Sequence, residues 1–514
     1  MALNRLFQHR SLNPKFDDKL ALEMKKWRLL IPLQLLLFSP LFLLAQPEPK
    51  VRVLVLTDIE ADPDDAQSLV RFLAYANEFE VEGLIATTST HQRNRVAPET
   101  IHRILTAYGK VQPNLLKHAK GYPTAAELKT KVKKGRAVYG MEGVGGGQDS
   151  EGSEWIIKTL EKPDARPLWI PVWGGPNCLA QALWKIQKTK TAADAARLYA
   201  KLRVYTISDQ DDSGPWIRKT FPGIFFIVSP GSYRNATWSG ITRNFPGANN
   251  EVNSNDWIAR NIQQGHGPLG TEYPDVAYGM EGDTPSFMNL IPNGLNVPEH
   301  PEYGGWGGRY ELYTPKAEPR PTAAPTPVRT QGGQLVTGPV SDPETRPIWT
   351  NAEDTYSPLV ASRWGRPFVT DTAKYKSSQV TLWRWREDFQ HDFAARMDWM
   401  VSEYRNANHP PVPKVAHPEG LKVKSGDIFG LNATGTYDPD GDALSYYWFQ
   451  YPEAGTYKER VSFAPFSPNL ANLHTVKAPE VSSPQTVHFI LEVTDKGSPA
   501  LTRYKRVIVE VSPK

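Results

Sequence analysis

Val53-Leu54-Val55-Leu56-Thr57-Asp58-Ile59-Glu60-Ala61-Asp62-Pro63-Asp64-Asp65-Ala66 is the stretch on which the reading of this chain turns. Four apolar residues in a row predict a short strand buried on both faces, as in a parallel sheet. The carboxylates Asp58, Glu60, Asp62, Asp64 and Asp65 follow at once, and Gln67-Ser68-Leu69-Val70-Arg71-Phe72-Leu73 then shows helical apolar spacing. The acids therefore sit on a loop at the carboxyl end of a strand, where open α/β sheets bind their ligands. Carboxylates this dense repel one another unless a cation lies among them, and an oxygen-only ligand set favours a hard cation such as calcium. The plainer alternative is a solvated acidic turn whose Asp64 and Asp65 face the positive end of the helix dipole.

The same residues carry a resemblance. Asp58 to Ala66 is similar to the amino-terminal motif of nucleoside hydrolases, Asp-x-Asp-x-x-x-Asp-Asp-Ala, matched without a gap and with Glu60 in place of the second Asp. The chain resembles a bacterial nucleoside-hydrolase-like family described as cellulose-binding, whose members share this loop and a small carboxy-terminal β domain. The resemblance implies an α/β fold: an open, mostly parallel sheet flanked by helices, followed by a small all-β Ig-like sandwich. It implies Asp58, Glu60, Asp65 and Asp283 as calcium ligands, joined by a main-chain carbonyl at Gly174 or Trp173. Glu60 is the expected base and Asp62 its rival, although Asp62 falls at a family position that is not a ligand. Asp64, His91, Gln92, Glu142 and Asn177 are expected to touch substrate.

Those positions lie on motifs spread along the chain. Val81 to Thr88 reads as a strand that ends at Ser89-Thr90-His91-Gln92. Nucleoside hydrolases keep a sugar-contacting Asn near such a strand end, and His91 or Gln92 occupies that place; a lone His is more often structural. Tyr139-Gly140-Met141-Glu142-Gly143 resembles the family segment His-Gly-x-x-Gly, with Tyr139 in place of the His. Trp173-Gly174-Gly175-Pro176-Asn177 resembles the calcium-binding Gly-Pro-x-x-Asn loop. In Tyr278 to Phe287, Asp283 fits the last calcium-binding Asp of the family, but Gly282 stands where a base-protonating His is common. A poor leaving group needs a proton donor, so this departure weighs against cleavage of ordinary nucleosides. Without the resemblance, Asp283 reads as a turn residue before Thr284-Pro285. Ser208-Asp209-Gln210-Asp211-Asp212, a second acidic run, reads as a polar loop rather than a site rim.

The rest of the chain bounds the setting. At 514 residues, two or three domains are expected. A net charge of +4 without a basic stripe gives no support to nucleic-acid binding. The one cysteine, Cys178, excludes an intramolecular disulfide and a thiolate zinc cluster. Met24-Lys25-Lys26-Trp27-Arg28 followed by the apolar run Leu29 to Leu44 predicts a signal peptide over 1–45, with Met24 as the natural start. The run is shorter than the ~20 residues of a spanning helix and contains Pro32 and Pro40. A periplasmic or secreted protein without a membrane anchor after cleavage is expected.

A nucleoside-hydrolase-like domain is expected over 47–410, with an irregular Gly/Pro-rich insertion at 293–345 in which Trp306 is either a stacking platform or a surface turn. A long apolar-striped helix is expected from about Thr381 to Arg405, and His409-Pro410-Pro411-Val412-Pro413 reads as a linker. Alternating strands and turn signals predict an Ig-like or polycystic-kidney-disease-type sandwich over 411–514. Asp438, Asp440 and Asp442 there read as a tight turn or a weak calcium loop.

Two functions fit. One is a secreted, calcium-dependent hydrolase of N- or O-glycosidic bonds that acts through carboxylate-activated water on a sugar with vicinal hydroxyls. The other is a non-catalytic protein that binds cellulose or another glycan, with the carboxy-terminal domain offering a glycan surface. In either case the partner is a carbohydrate or a nucleoside-like small molecule.

Overall fold

The computed structural model describes residues 49–230, 233–314, 344, 346–360, 373–465 and 471–514, with short strand segments at 327–329, 335–337 and 369–370. The expected signal segment and the middle of the 293–345 insertion lie outside the described residues. No helix among the described residues is long and apolar enough to cross a membrane.

The apolar run of the acidic stretch forms β1 (Val51–Thr57), an interior strand of an eight-stranded sheet. The others are β2 (Phe79–Ala86), β3 (Val132–Lys134), β4 (Leu168–Val172), β5 (Leu202–Thr206), β6 (Phe225–Val228), β7 (Tyr310–Tyr313) and β8 (Ile348–Asn351). Their order is β3-β2-β1-β4-β5-β6-β8-β7, parallel except for the β8–β7 edge pair. Successive strand residues point to opposite faces, so β1 feeds two cores at once. Val53 and Val55 join one, with Phe72 and Leu73 of helix α1 (Asp64–Ala74) and Ile101, Ile104 and Tyr108 of α2 (Pro98–His118). Leu54 and Leu56 join the other, with Ile156 and Leu160 of α3 (Glu151–Glu161) and Leu179 and Leu183 of α4 (Asn177–Thr189). Helices on both faces explain why the strand carries no polar side.

The expected helix from Thr381 to Arg405 is two helices, Val380–Trp383 and α5 (Arg386–Trp399), with a break between them. An apolar stripe understates its burial. Arg386, Gln390, Asp392 and Arg396 are buried along with Phe389, Phe393 and Met397. Such polar groups go inside only with partners. Arg396 has them in the Ala74 carbonyl at 3.0 Å, Asn77 Oδ1 at 2.7 Å and Glu78 Oε1 at 2.7 Å.

The carboxy-terminal part has two sheets. β9 (Gly420–Lys424), β15 (Thr502–Ser512), β14 (Gln485–Thr494) and β11 (Ser445–Gln450) form one, in that order. β10 (Ile428–Asn432), β13 (Leu473–Lys477) and β12 (Phe463–Pro465) form the other. Val487, Phe489, Leu491 and Val507 face a small core that contains Trp448 and Leu431. The opposite face of the larger sheet is also covered. Ile490, Tyr451 and Tyr504 belong to the same core as β1 and α1.

The stretch at His409–Pro413, expected as a linker, is therefore not where packing stops, and residues 50–514 form one compact unit. Trp306 is neither a stacking platform nor a surface turn. It is fully buried, edge-on to Phe389 at 6.2 Å and to Tyr504 at 6.4 Å. In the Asp438 loop, Asp438 Oδ1 accepts from the backbone N–H of Asp440 (2.8 Å) and of Asp442 (3.1 Å), as a tight turn requires.

Candidate cation and sugar site

Strand order reverses at β1, whose neighbours β2 and β4 continue the chain in opposite directions along the sheet. The acidic loop leaves the carboxyl end of β1 at this switch point, the place where open α/β sheets bind their ligands. Beside it runs the loop after β4. A Cβ placed on Gly174 would lie 2.7 Å from Asp58 Cβ and Cγ, so only glycine lets the two loops approach this closely.

Asp62, Asp64 and Asp65 offer carboxylate oxygens that all lie within 4.8 Å of one another. Asp62 Oδ1 accepts from the Asp64 N–H at 3.2 Å, which turns the chain into α1. Asp64 and Asp65 fill its first turn. Asp65 is buried and accepts from the Thr57 hydroxyl, which itself accepts the Ile59 N–H at 3.1 Å. Asp283 arrives from a distant segment, tied to the loop by a 3.2 Å hydrogen bond from Gly282 N to Asp64 Oδ2. Asp283 Oδ2 is buried without a hydrogen-bond partner.

Burial, then repulsion among the carboxylates, holds Asp64, Asp65 and Asp283 well above the ordinary carboxylate range. Burial also raises Asp58, against a hydrogen bond from Ser89 and the charge of His91. These are the marks expected of a cation cradle: oxygen donors only, with Asp58, Asp65 and Asp283 out of water, Asp62 and Asp64 half-buried, and one oxygen unpartnered. The donor set fits calcium.

Asp283 is fixed from behind. Glu281, fully buried with φ of 48°, pairs with the fully buried Arg71, Nη2 to Oε1 at 3.0 Å. Tyr273 (2.7 Å) and Thr284 (2.8 Å) donate to the same carboxylate, and Arg71 also donates to the Phe389 carbonyl at 3.1 Å. Breaking such a buried pair by removing one partner costs about 3–5 kcal/mol. This network holds the Asp283 segment against α1.

Glu60 does not join the cluster. It is the third residue of a turn closed by the Ala61 N–H on the Asp58 carbonyl at 2.9 Å, and its φ is 79°. The Glu60 carboxylate meets the Thr100 hydroxyl and the Arg95 guanidinium in a shallow cleft of about 360 Å³. Glu60, expected as ligand and base, is thus placed away from the clustered oxygens, and Asp62 lies among them.

The remaining expected residues divide. His91 is beside the cluster, its Nε2 3.3 Å from the Tyr233 hydroxyl. Gln92 is buried and donates to the Asp58 and Ile59 carbonyls at 3.1 and 3.2 Å, so it braces the loop instead of facing substrate. Asn177 likewise binds protein, donating to Val138 O at 2.7 Å and Thr88 Oγ1 at 3.0 Å. Glu142 is exposed on the short helical turn Gly140–Gly143. The Trp173 carbonyl accepts from the Gln210 amide, which leaves Gly174 the better placed main-chain donor. In the second acidic run, Asp209 is held by Arg218 through two 2.8 Å bonds. Asp211 is buried on Ser213 and pushed up to about 7 by that burial.

Two site residues carry no motif that reveals them. Tyr233 lies close enough for Asp58, Asp62 and Asp64 to act on its hydroxyl, which burial holds well above its usual value. Trp238 stands edge-on to Tyr233 at 5.4 Å. A Cβ on Gly282 would meet Asp64 Oδ2 at 2.6 Å and Trp238 Cζ3 at 3.3 Å. Asp64 and Trp238 together fill the space a side chain at 282 would need.

Residues 52–310 match the family model for the cellulose-binding Sde182 nucleoside hydrolase-like domain, and 428–511 match that for the Sde0182 C-terminal domain. The chain belongs to the Sde182 family. A nucleoside hydrolase-related hypothetical protein from Saccharophagus degradans, associated with carbohydrate metabolism, is 34% identical. That alignment covers 91% of this chain and 100% of the other, with a TM-score of 0.72. The effector protein XOO4466 aligns at 11% identity over 59% of this chain and 91% of its own, with a TM-score of 0.31. No curated protein matches. Membership in the Sde182 family accounts for the pairing of a nucleoside hydrolase-like sheet with a carboxy-terminal β-sandwich in one chain.

Proposed function

We propose that the acidic loop and Asp283 hold a calcium ion and that the protein is a secreted or periplasmic hydrolase of glycosidic bonds. The observation that carries this reading is the Asp62, Asp64 and Asp65 cluster together with the buried, unpartnered Asp283 Oδ2, which lies near enough to feel the charges of Asp64 and Asp65. Asp58, Asp65, Asp283 and the Gly174 carbonyl would hold the ion. Bound there, calcium supplies the positive charge that lets these carboxylates ionise together and that orients vicinal hydroxyls. Asp64 then accepts hydrogen bonds from sugar hydroxyls. Asp62 takes the proton of the attacking water as positive charge develops at the anomeric carbon. Tyr233, which keeps its proton at neutral pH, donates a hydrogen bond to the departing oxygen, which then takes its proton from solvent, with His91 beside it. Trp238 walls the crevice on the side of Gly282. The family description as cellulose-binding supports a carbohydrate ligand.

Gly282 favours a second reading, a non-catalytic sugar-binding site, because it offers no acid to a poor leaving group. A hydrolysis screen separates the two. Nucleosides and plant and algal oligosaccharides would be incubated with the protein in calcium or in chelator. Calcium-dependent release of free sugar is expected. Saturable binding without any release, in both conditions, would leave the binding protein.

A further inference from the structure

A larger cleft, of about 980 Å³, opens between the first turn of α5 and strand β11 of the sandwich. No residue of the acidic loop lines it. Its volume is near the top of the ~300–1,000 Å³ range of small-molecule sites, so more than a single sugar ring fits.

Two of its lining rings come from one strand. Tyr447 and Phe449 are two residues apart on β11, so they share a face, with centroids 5.4 Å apart. Both are half-buried. Beneath them Arg384 is clamped among aromatic faces, its guanidinium carbon 4.6 Å from the Tyr356 ring, 4.6 Å from Tyr451 and 4.7 Å from Trp385. Carboxyl groups line the same space: Glu387 and Asp388 at the start of α5, and Glu492, which faces Tyr447 across the β11–β14 ladder. Burial pushes Glu492 up to about 8 and Asp388 up to about 6. A neutral carboxyl both donates and accepts, whereas an ionised one only accepts. Aromatic faces that pack on C–H surfaces, ringed by such groups, match a polyhydroxylated ring polymer. Along the lining Glu387, Asp388, Glu453 and Glu492 are matched by Lys374, Arg384, Lys458 and Arg460, so no single sign of charge selects a polyanion, and the charged rim disfavours an acyl chain.

We propose that this cleft is a glycan-binding site, in which a chain of sugar rings lies along Tyr447 and Phe449 with its hydroxyls against Glu387, Asp388 and Glu492. It rests on the reading that the protein's ligand is a carbohydrate, and gives that ligand a contact apart from the acidic loop. The sandwich and the α/β part grip the chain together, because β11 and α5 supply opposite walls.

The test uses the mature protein carrying Asp65→Ala, which silences the acidic loop, titrated with cellohexaose by calorimetry. Binding should persist in Asp65→Ala and weaken at least about tenfold when Tyr447→Ala or Glu492→Met is added, about 1.4 kcal/mol. If Tyr447→Ala melts early, Glu492→Met, similar in length but unable to donate or accept as the carboxyl does, decides. Wild-type binding that vanishes with Asp65→Ala alone would overturn the cleft and confine the glycan to the acidic loop. Binding unchanged by both cleft variants would overturn the cleft but not the carbohydrate reading. A wild type that binds neither cellohexaose nor insoluble cellulose would overturn both.

Discussion

Asp62→Asn should lower turnover by about 10²- to 10⁴-fold, the usual cost of removing a general base, while Glu60→Gln should be nearly silent. On the barrier this is about 3–5 kcal/mol. Motif spacing alone points the other way, since Glu60 aligns with the family Asp and Asp62 does not. The turn decides against it. With φ of 79°, Glu60 leaves the cluster for Thr100 and Arg95, whereas Asp62 stays within 4.8 Å of Asp64 and Asp65. The amide of Asp62→Asn keeps its shape and can still accept the Asp64 N–H, so ligand affinity should change little. Steady-state rates and a binding titration on both variants check the split. An inactive Glu60→Gln beside an active Asp62→Asn would mean that Glu60 swings into the crevice when substrate binds.

The second large effect concerns the boundary at residue 411. A fragment spanning 47–410 should fail to fold cooperatively, although the Pro-rich stretch and the change to alternating strands mark a new domain. Removing the sandwich uncovers Trp306 and Trp385, which pack on Tyr504. It also removes the Arg506 guanidinium from the Leu295 carbonyl at 2.9 Å and the Gly304 carbonyl at 2.9 Å, and Tyr451 from Asp354. Each large apolar side chain returned to water costs about 1.5–3 kcal/mol. Each buried polar group left unpaired costs about 1–3 kcal/mol unless water reaches it. A handful of such losses approaches the ~5–15 kcal/mol that a folded chain has in total. Near-UV circular dichroism and a melting curve on the fragment read the outcome. A sharp transition with intact aromatic signals would show that the α/β part stands alone.

The fold was legible where one physical signal dominated. Val53 to Leu56 could only be a strand covered on both sides, and the acids after it had to lie at a carboxyl end. The sandwich was equally plain from its alternation. Alternation is silent, however, about what covers the second face. Ile490 and Tyr504 look like any outward residue of a sandwich strand, yet they complete the core around Trp306. The flanking glycines made Trp306 resemble a loop tip, when their role is to let neighbouring segments approach. A Cβ on Gly307 would sit 2.8 Å from the Pro285 carbonyl.

The site divides in the same way. Asp64 and Asp65 stood out because motif and charge density pointed the same way, whereas Asp283 was legible only through the resemblance; the structure sets it near both. Glu60 misled because a left-handed backbone at one non-glycine residue is decided by the turn around it, and spacing does not encode that. Tyr233 and Trp238 come from a segment without periodicity or motif. They matter only because the fold brings them against Gly282 and the acidic cluster.

Calcium binding tests the central claim most directly. Titrating the metal-free protein with calcium should give saturable binding and raise the melting temperature, as for any ligand of the folded state alone. At a free calcium concentration 100 times Kd the gain is about 2.7 kcal/mol. Asp65→Ala and Asp283→Ala should each abolish the shift, and Glu60→Gln should keep it. The shift should also shrink as pH falls, because protons compete for carboxylates that burial already biases toward the neutral form. A melting curve that is the same in calcium and in chelator would contradict the account. So would a calcium shift that survives Asp283→Ala.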